Sequence, residues 1–168
     1  MISSVWSHAA RFVFLVLLQG LILNNVSLFG FVSPYLYILF ILLLPVDSSP
    51  SLVLILSLVL GLSVDMFSAT WGMHMAACIF IAYLRPFVLQ LLSPRDGYEF
   101  GATPDFNQMG INRFLTYAVL LTVMHHLALY LIEVFRFGEI LFTIGRAMAS
   151  ATFTIVLILL AQVLTYRR

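Results

Sequence analysis

Asp65, His74, Arg85, His125, His126, Glu133 and Arg146 all stand within or at the ends of long apolar runs. Burying a charge at the centre of a bilayer costs about 2.5–3.5 kcal/mol on insertion scales, so such residues turn toward protein or a cavity. They are the first candidates for proton transfer, metal binding or headgroup chemistry. The sharpest case is the stretch from Gly61 to His74, with an aspartate four residues after a glycine near the end of an apolar run that starts at Leu52. Helical spacing puts Gly61 and Asp65 on one face, where the glycine lets a neighbouring backbone come close. Asp65 is therefore expected to point into the protein.

The other groups divide by depth. At about 1.5 Å per residue, Asp65, Glu133, Arg136, Glu139 and Arg146 all count to the outer third of a membrane or its surface. Arg146 is expected to pair there with Asp65 or Glu133, which lowers the cost of burial. His125 and His126 sit near a midplane, and His126 and Glu133 lie seven apart on one helical face. A metal would need further converging ligands and a relay a continuous polar path, so hydrogen bonding between helices is their expected role. His74 counts to about a third of a bilayer away from His125 in depth. Arg85, in Tyr83-Leu-Arg-Pro86, lies about two turns from the inner end of its run and is expected to snorkel toward the headgroups. Pro86 predicts a kink there.

Composition dictates what must position these groups. Of 168 residues, 62% are hydrophobic and 9% charged, against about 25% charged in soluble domains. The expected class is an all-α integral membrane protein. Net charge is +1 with no basic stretch, which gives no footing for nucleic acid. A single cysteine, Cys78, excludes an internal disulfide and supplies no metal-ligand spacing. The apolar segment Phe12–Leu23 has only Arg11 before it and no small-residue cleavage site after it, so it reads as a retained first span.

Six transmembrane helices are expected, at about 11–26, 28–45, 51–67, 72–92, 113–135 and 140–166, in one membrane domain with no boundary for a second. The span at 28–45 is irregular. Ser33-Pro34 predicts a helix start, yet Pro34 to Leu44 would rise only about 16 Å, too little to cross. Asn24–Ser33 is therefore expected to enter the membrane as a bent or broken element, and Pro34 leaves open whether this is a binding-site break or an ordinary kink. Arginines 11, 95, 113, 167 and 168 then share one side, which assigns both termini to the cytoplasm. Residues 93–112, rich in turn signals, become a cytoplasmic connecting loop. Small residues Ala76, Ala77 and Ala82 in the fourth span, and Gly145 and Ala149 in the last, permit tight packing within the bundle or against a partner helix.

No catalytic constellation accompanies these charges. The chain has no lysine, hence no phosphate-loop lysine, and neither a Gly-x-Ser-x-Gly elbow nor a His-Glu-x-x-His pair. Asp65 and Arg85 count to different depths, which argues against joint chemistry on a lipid headgroup.

The pattern Gly61-x-x-x-Asp65-x-Phe67-Ser68-x-Thr70-x-Gly72-x-His74 resembles the central motif of the MreD family of bacterial rod shape-determining membrane proteins. Arg85-Pro86, Asp96-Gly-Tyr-Glu99, Met109-Gly110, and His125-His126 with Glu133 ahead of Phe135 are similar to its Bacteroidota-type variant. The resemblance implies a non-enzymatic, cofactor-free subunit of the elongation machinery (the elongasome) in the bacterial inner membrane. Its implied partner is MreC and, through it, MreB, RodA and a class B penicillin-binding protein, with modulation of peptidoglycan synthesis as the outcome. It further implies a fold similar to the S component of energy-coupling-factor transporters. A genuine vitamin-binding S component is the alternative; such proteins dock through small residues on the first helix, whereas here Ala9 and Ala10 are followed by Val13 and Phe14.

Overall fold

The computed structural model describes residues 2–28, 30–134 and 140–166. Within them the chain forms α1 (Ile2–Leu21), a short 3-10 turn (Leu23–Asn25), α2 (Ile38–Leu42), α3 (Pro50–Ser68), α4 (Met73–Leu91), α5 (Ile111–Val134) and α6 (Ile140–Thr165). Five helices are long and apolar enough to cross a membrane. Arg136, Glu139, Phe135, Arg167 and Arg168, which entered the depth and side assignments above, lie outside the described residues.

Polarity is distributed inside out. Gln19, Asp65, His74, Arg85, His125, His126, Ser150, Thr154 and Gln162 are buried, while Phe14, Ile55, Phe87, Leu141, Leu160 and Leu164 stand exposed. Water would drive those apolar side chains inward, whereas hydrocarbon leaves them no reason to hide and forces the polar groups together. The two tryptophans, Trp6 and Trp71, are exposed near opposite ends of the bundle, as the amphipathic rings of membrane proteins commonly are. The chain is a helical protein of multi-pass membrane character.

The long helices pack in the order α1, α3, α4, α5, α6, and the segment leading through α2 runs down the middle. From Tyr37 to Leu44 every residue is buried. Its direction is set by α1: Gln19 Nε2 donates to Pro34 O at 3.0 Å, and Arg11 Nη1 reaches Leu43 O at 3.4 Å. The segment therefore runs antiparallel to α1.

The expected helix from Pro34 does not form; α2 begins at Ile38 and lasts five residues. Helical bonding is replaced by bonding to α6. The Ser33 amide donates to Ser150 Oγ at 3.1 Å and the Tyr35 amide to Thr154 Oγ1 at 2.9 Å. Non-helical backbone is tolerated in a membrane only where neighbours satisfy it in this way. Between Asn24 and Ser33 the described residues are non-helical beyond Asn25, with a Leu28–Val32 bridge, Leu28 and Phe31 exposed, Val32 buried, and the two ends bonded to Ser68 of α3 and Ser150 of α6.

Local sequence accounts for the helix ends nearest the site. Ser49 caps α3 by accepting from the Leu52 amide, with Pro50 in the first turn. Ala69 closes α3 in the left-handed region at φ 52°, and Gly72 opens α4 at φ 82°. α4 runs unbroken through Pro86. The 93–110 loop is more than a connector: Ala102, Pro104, Phe106 and Met109 are buried, and Ala102 O accepts the Val46 amide at 2.8 Å. It seals the end of the bundle beneath α2. Burial there pushes the Tyr98 phenol up, against a smaller pull from Arg113.

Candidate functional site

Asp65 binds the start of the next helix. Its Oδ1 accepts from Thr70 Oγ1 at 2.5 Å and the His74 amide at 3.1 Å, and its Oδ2 accepts from the Met75 amide at 3.0 Å. Free amides and the positive end of the dipole make a helix N-terminus the natural partner of a carboxylate. Gly61 allows the two helices to close on each other. A Cβ at Gly61 would lie 2.7 Å from the Met75 nitrogen and 2.8 Å from the His74 carbonyl oxygen. Thus Gly61, Asp65, Thr70, Gly72 and His74 build one clasp at the α3–α4 corner. Phe67 works outward from it, its ring lying where a Cβ on Gly20 of α1 would stand, 2.8 Å away.

Tyr37, on the buried segment, joins three elements. Its hydroxyl lies 2.8 Å from His74 Nδ1 and 2.9 Å from His125 Nε2. One hydroxyl proton serves two ring nitrogens, so one ring accepts while the other donates. His125 Nδ1 is buried without a partner. An orphaned acceptor costs less than an orphaned N–H, which assigns His125 Nε2–H as donor to Tyr37 and His74 Nδ1 as acceptor from it. His126 turns the other way. Its Nδ1 donates to Thr122 O at 2.8 Å and its Nε2 lies 3.1 Å from Thr154 Oγ1. Tyr130 Oη meets Ser150 Oγ at 2.9 Å, completing a polar column against the irregular segment.

Two depth assignments are corrected by this column. His74 and His125 are not a third of a bilayer apart; one phenol oxygen touches both. The helices do not end at a common level, because α5 continues nine residues beyond His125. Glu133 consequently stands about 12 Å further along α5 than His125, well beyond Asp65. Arg146 pairs with Glu133 at 3.7 Å and lies 4.8 Å over the Tyr130 ring, while Asp65 is engaged by α4. The pair is partly exposed, the Glu133 side chain at 39%. Arg146→Gln is expected to change stability by no more than about 1 kcal/mol, as for other exposed ion pairs, and denaturant unfolding in detergent measures it.

Arg85 does not snorkel. It is 2% exposed and its guanidinium donates to Tyr117 Oη at 3.0 Å, to Leu44 O, and to Pro45 O at 3.3 Å. Tyr117 in turn donates to Leu42 O at 3.0 Å. The carbonyls after α2 have no helical partners, and the fork of a guanidinium meets several of them at once. Reaching for headgroups loses to this demand. Pro86, next to it, is exposed on the outer face of α4.

Among the small residues, Ala77 and Ala82 are buried in packing and Ala76 is half-buried, so the α4 face is internal. Gly145 is exposed with open space around an added Cβ, and Ala149 is half-buried.

Among the described residues, no three of His, Cys, Asp and Glu stand close enough to share a metal ion. Gln19, Tyr37, Tyr117 and Thr154 were not among the candidates, and Asn24 and Ser150 were placed only at the irregular break and among small residues of the last span, without the hydrogen bonds they make. Asn24 Nδ2 donates to Ser68 Oγ at 2.9 Å, tying the end of α1 to the end of α3. Hydroxyls and amides carry no charge to mark them in an apolar run; the available signal was the irregular span itself, whose backbone required partners. The arrangement holds a broken segment in place and clasps a corner, with Asp65 met by donors and Arg85 by acceptors. No family model, curated protein or solved structure matches the chain.

Proposed function

We propose that the chain is a non-enzymatic inner-membrane subunit of the bacterial cell-elongation machinery, of the MreD kind, which binds MreC. Through MreC it reaches MreB, RodA and a class B penicillin-binding protein and modulates peptidoglycan synthesis. The observation that carries this reading is the use made of the MreD-like motif. Both Asp65 oxygens are taken up by Thr70 and the α4 amides, and Gly61 serves close packing. A motif spent on architecture suits a protein that works by association.

In this reading the buried segment within 28–45 is the sixth span, shortened because neighbours satisfy its backbone. The side bearing Arg11, Arg95 and Arg113 faces the cytoplasm, with both termini there. Internal packing consumes Ala77 and Ala82, which leaves the α6 face around Gly145 and Ala149 for a partner helix.

Co-expression with MreC from the same bacterium and purification in mild detergent test the proposal. MreC is expected to be retained by the natural chain and reduced about tenfold by Ala149→Leu, the effect of about 1.4 kcal/mol lost at the contact. A chain that keeps no MreC but carries a bound small molecule would overturn it in favour of the transporter-subunit reading.

A further inference from the structure

Between α1 and α6 the bundle leaves a lateral groove of about 270 Å³, floored by the buried segment. Phe14, Leu36, Leu39 and Leu43 give it apolar walls, and Arg11 and Asp105 stand at its polar end. Both charged residues lie toward the end of the bundle that the 93–110 loop seals. Arg11 makes a single long bond, 3.4 Å to Leu43 O, and no carboxylate among the described residues pairs with it. Asp105 commits Oδ1 to the Asn107 and Gln108 amides at 2.9 Å each, and its Oδ2 has no partner among the described residues. Arg11 and Asp105 thus border the mouth of one apolar groove within reach of each other's charge but without a direct ion pair, so the guanidinium and Asp105 Oδ2 both keep hydrogen-bonding capacity for a ligand.

We propose that this groove binds one aminophospholipid of the phosphatidylethanolamine class. The phosphate sits on the Arg11 guanidinium, the primary ammonium donates to Asp105 Oδ2, and the first part of one acyl chain lies along Leu36, Leu39 and Leu43. Charge complementarity selects this headgroup. A phosphoglycerol headgroup brings no cationic N–H donor to Asp105 Oδ2, and a trimethylated ammonium has no N–H to donate. The volume, just under the about 300 Å³ typical of small ligand sites, admits part of one chain and leaves the rest in the bilayer. This site is independent of MreC binding.

The test is native mass spectrometry on the full chain released from nanodiscs containing equal parts of phosphatidylethanolamine, phosphatidylglycerol and phosphatidylcholine. One phosphatidylethanolamine per chain is expected, enriched about tenfold over each of the others, the ratio given by one charge-assisted bond. Arg11→Gln should lower retention of all three lipids. Asp105→Asn, which keeps the acceptor for Asn107 and Gln108, should abolish only the preference for the ethanolamine headgroup. Equal retention of the three lipids by the natural chain, or an unchanged preference in Asp105→Asn, would overturn the proposal.

Discussion

Asp65→Ala is expected to lower stability by about 3–5 kcal/mol. The change leaves the His74 and Met75 amides and the Thr70 hydroxyl without their acceptor at a largely buried corner. Hydrogen bonds to an ionised group each contribute about 1.5–3 kcal/mol, which sets the scale. Asp65→Asn keeps one acceptor oxygen but turns an NH2 toward a backbone N–H, so about half the loss should remain. Gly61→Ala attacks the same corner sterically, at about 1–3 kcal/mol, because the Met75 backbone cannot withdraw without moving α4. Denaturant unfolding in detergent micelles measures all three. The order Ala, then Asn, is the signature of a clasp.

Arg85→Leu should cost about 2–4 kcal/mol, for a different reason. The guanidinium is buried without a carboxylate; its charge is met by Tyr117 and by the carbonyls of Leu44 and Pro45. Removing it orphans those carbonyls and loosens the exit of the buried segment. Arg85→Lys keeps the charge but presents a point where a fork is required, so it should recover only part of the loss. Thermal unfolding of the two variants in detergent separates charge from geometry. Cysteine accessibility at Ser48, just past the segment, should rise in the leucine variant.

The membrane class was legible from composition, and α3 to α6 follow their apolar runs closely, whereas α1 runs from Ile2 to Leu21 against an expected 11–26 because the polar start of the chain is helical too. Gly61 and Asp65 were legible as a pair, since a carboxylate in hydrocarbon must find a donor and a glycine beside it marks close approach. Which donor was not legible. Depth counting assumes that helices end at one level, and α5 breaks that assumption, so Arg146 fell to Glu133. Arg85 was misread because snorkelling depends on what else competes for the guanidinium. Those competitors, the unpaired carbonyls after α2, appear only once the segment is known to leave helical geometry. The bonding of Tyr37, Ser150 and Thr154 was invisible for the same reason: it is defined by the backbone break.

Under the proposed function, the polar residues of the motif build the bundle and its outer surface meets MreC. The ratio of MreC retained to folded chain, measured together for the natural protein, Asp65→Asn and Arg85→Lys, tests it most directly. The account predicts that the folded fraction falls in both variants while MreC retained per folded molecule stays constant. A variant that remains fully folded yet retains no MreC would contradict it.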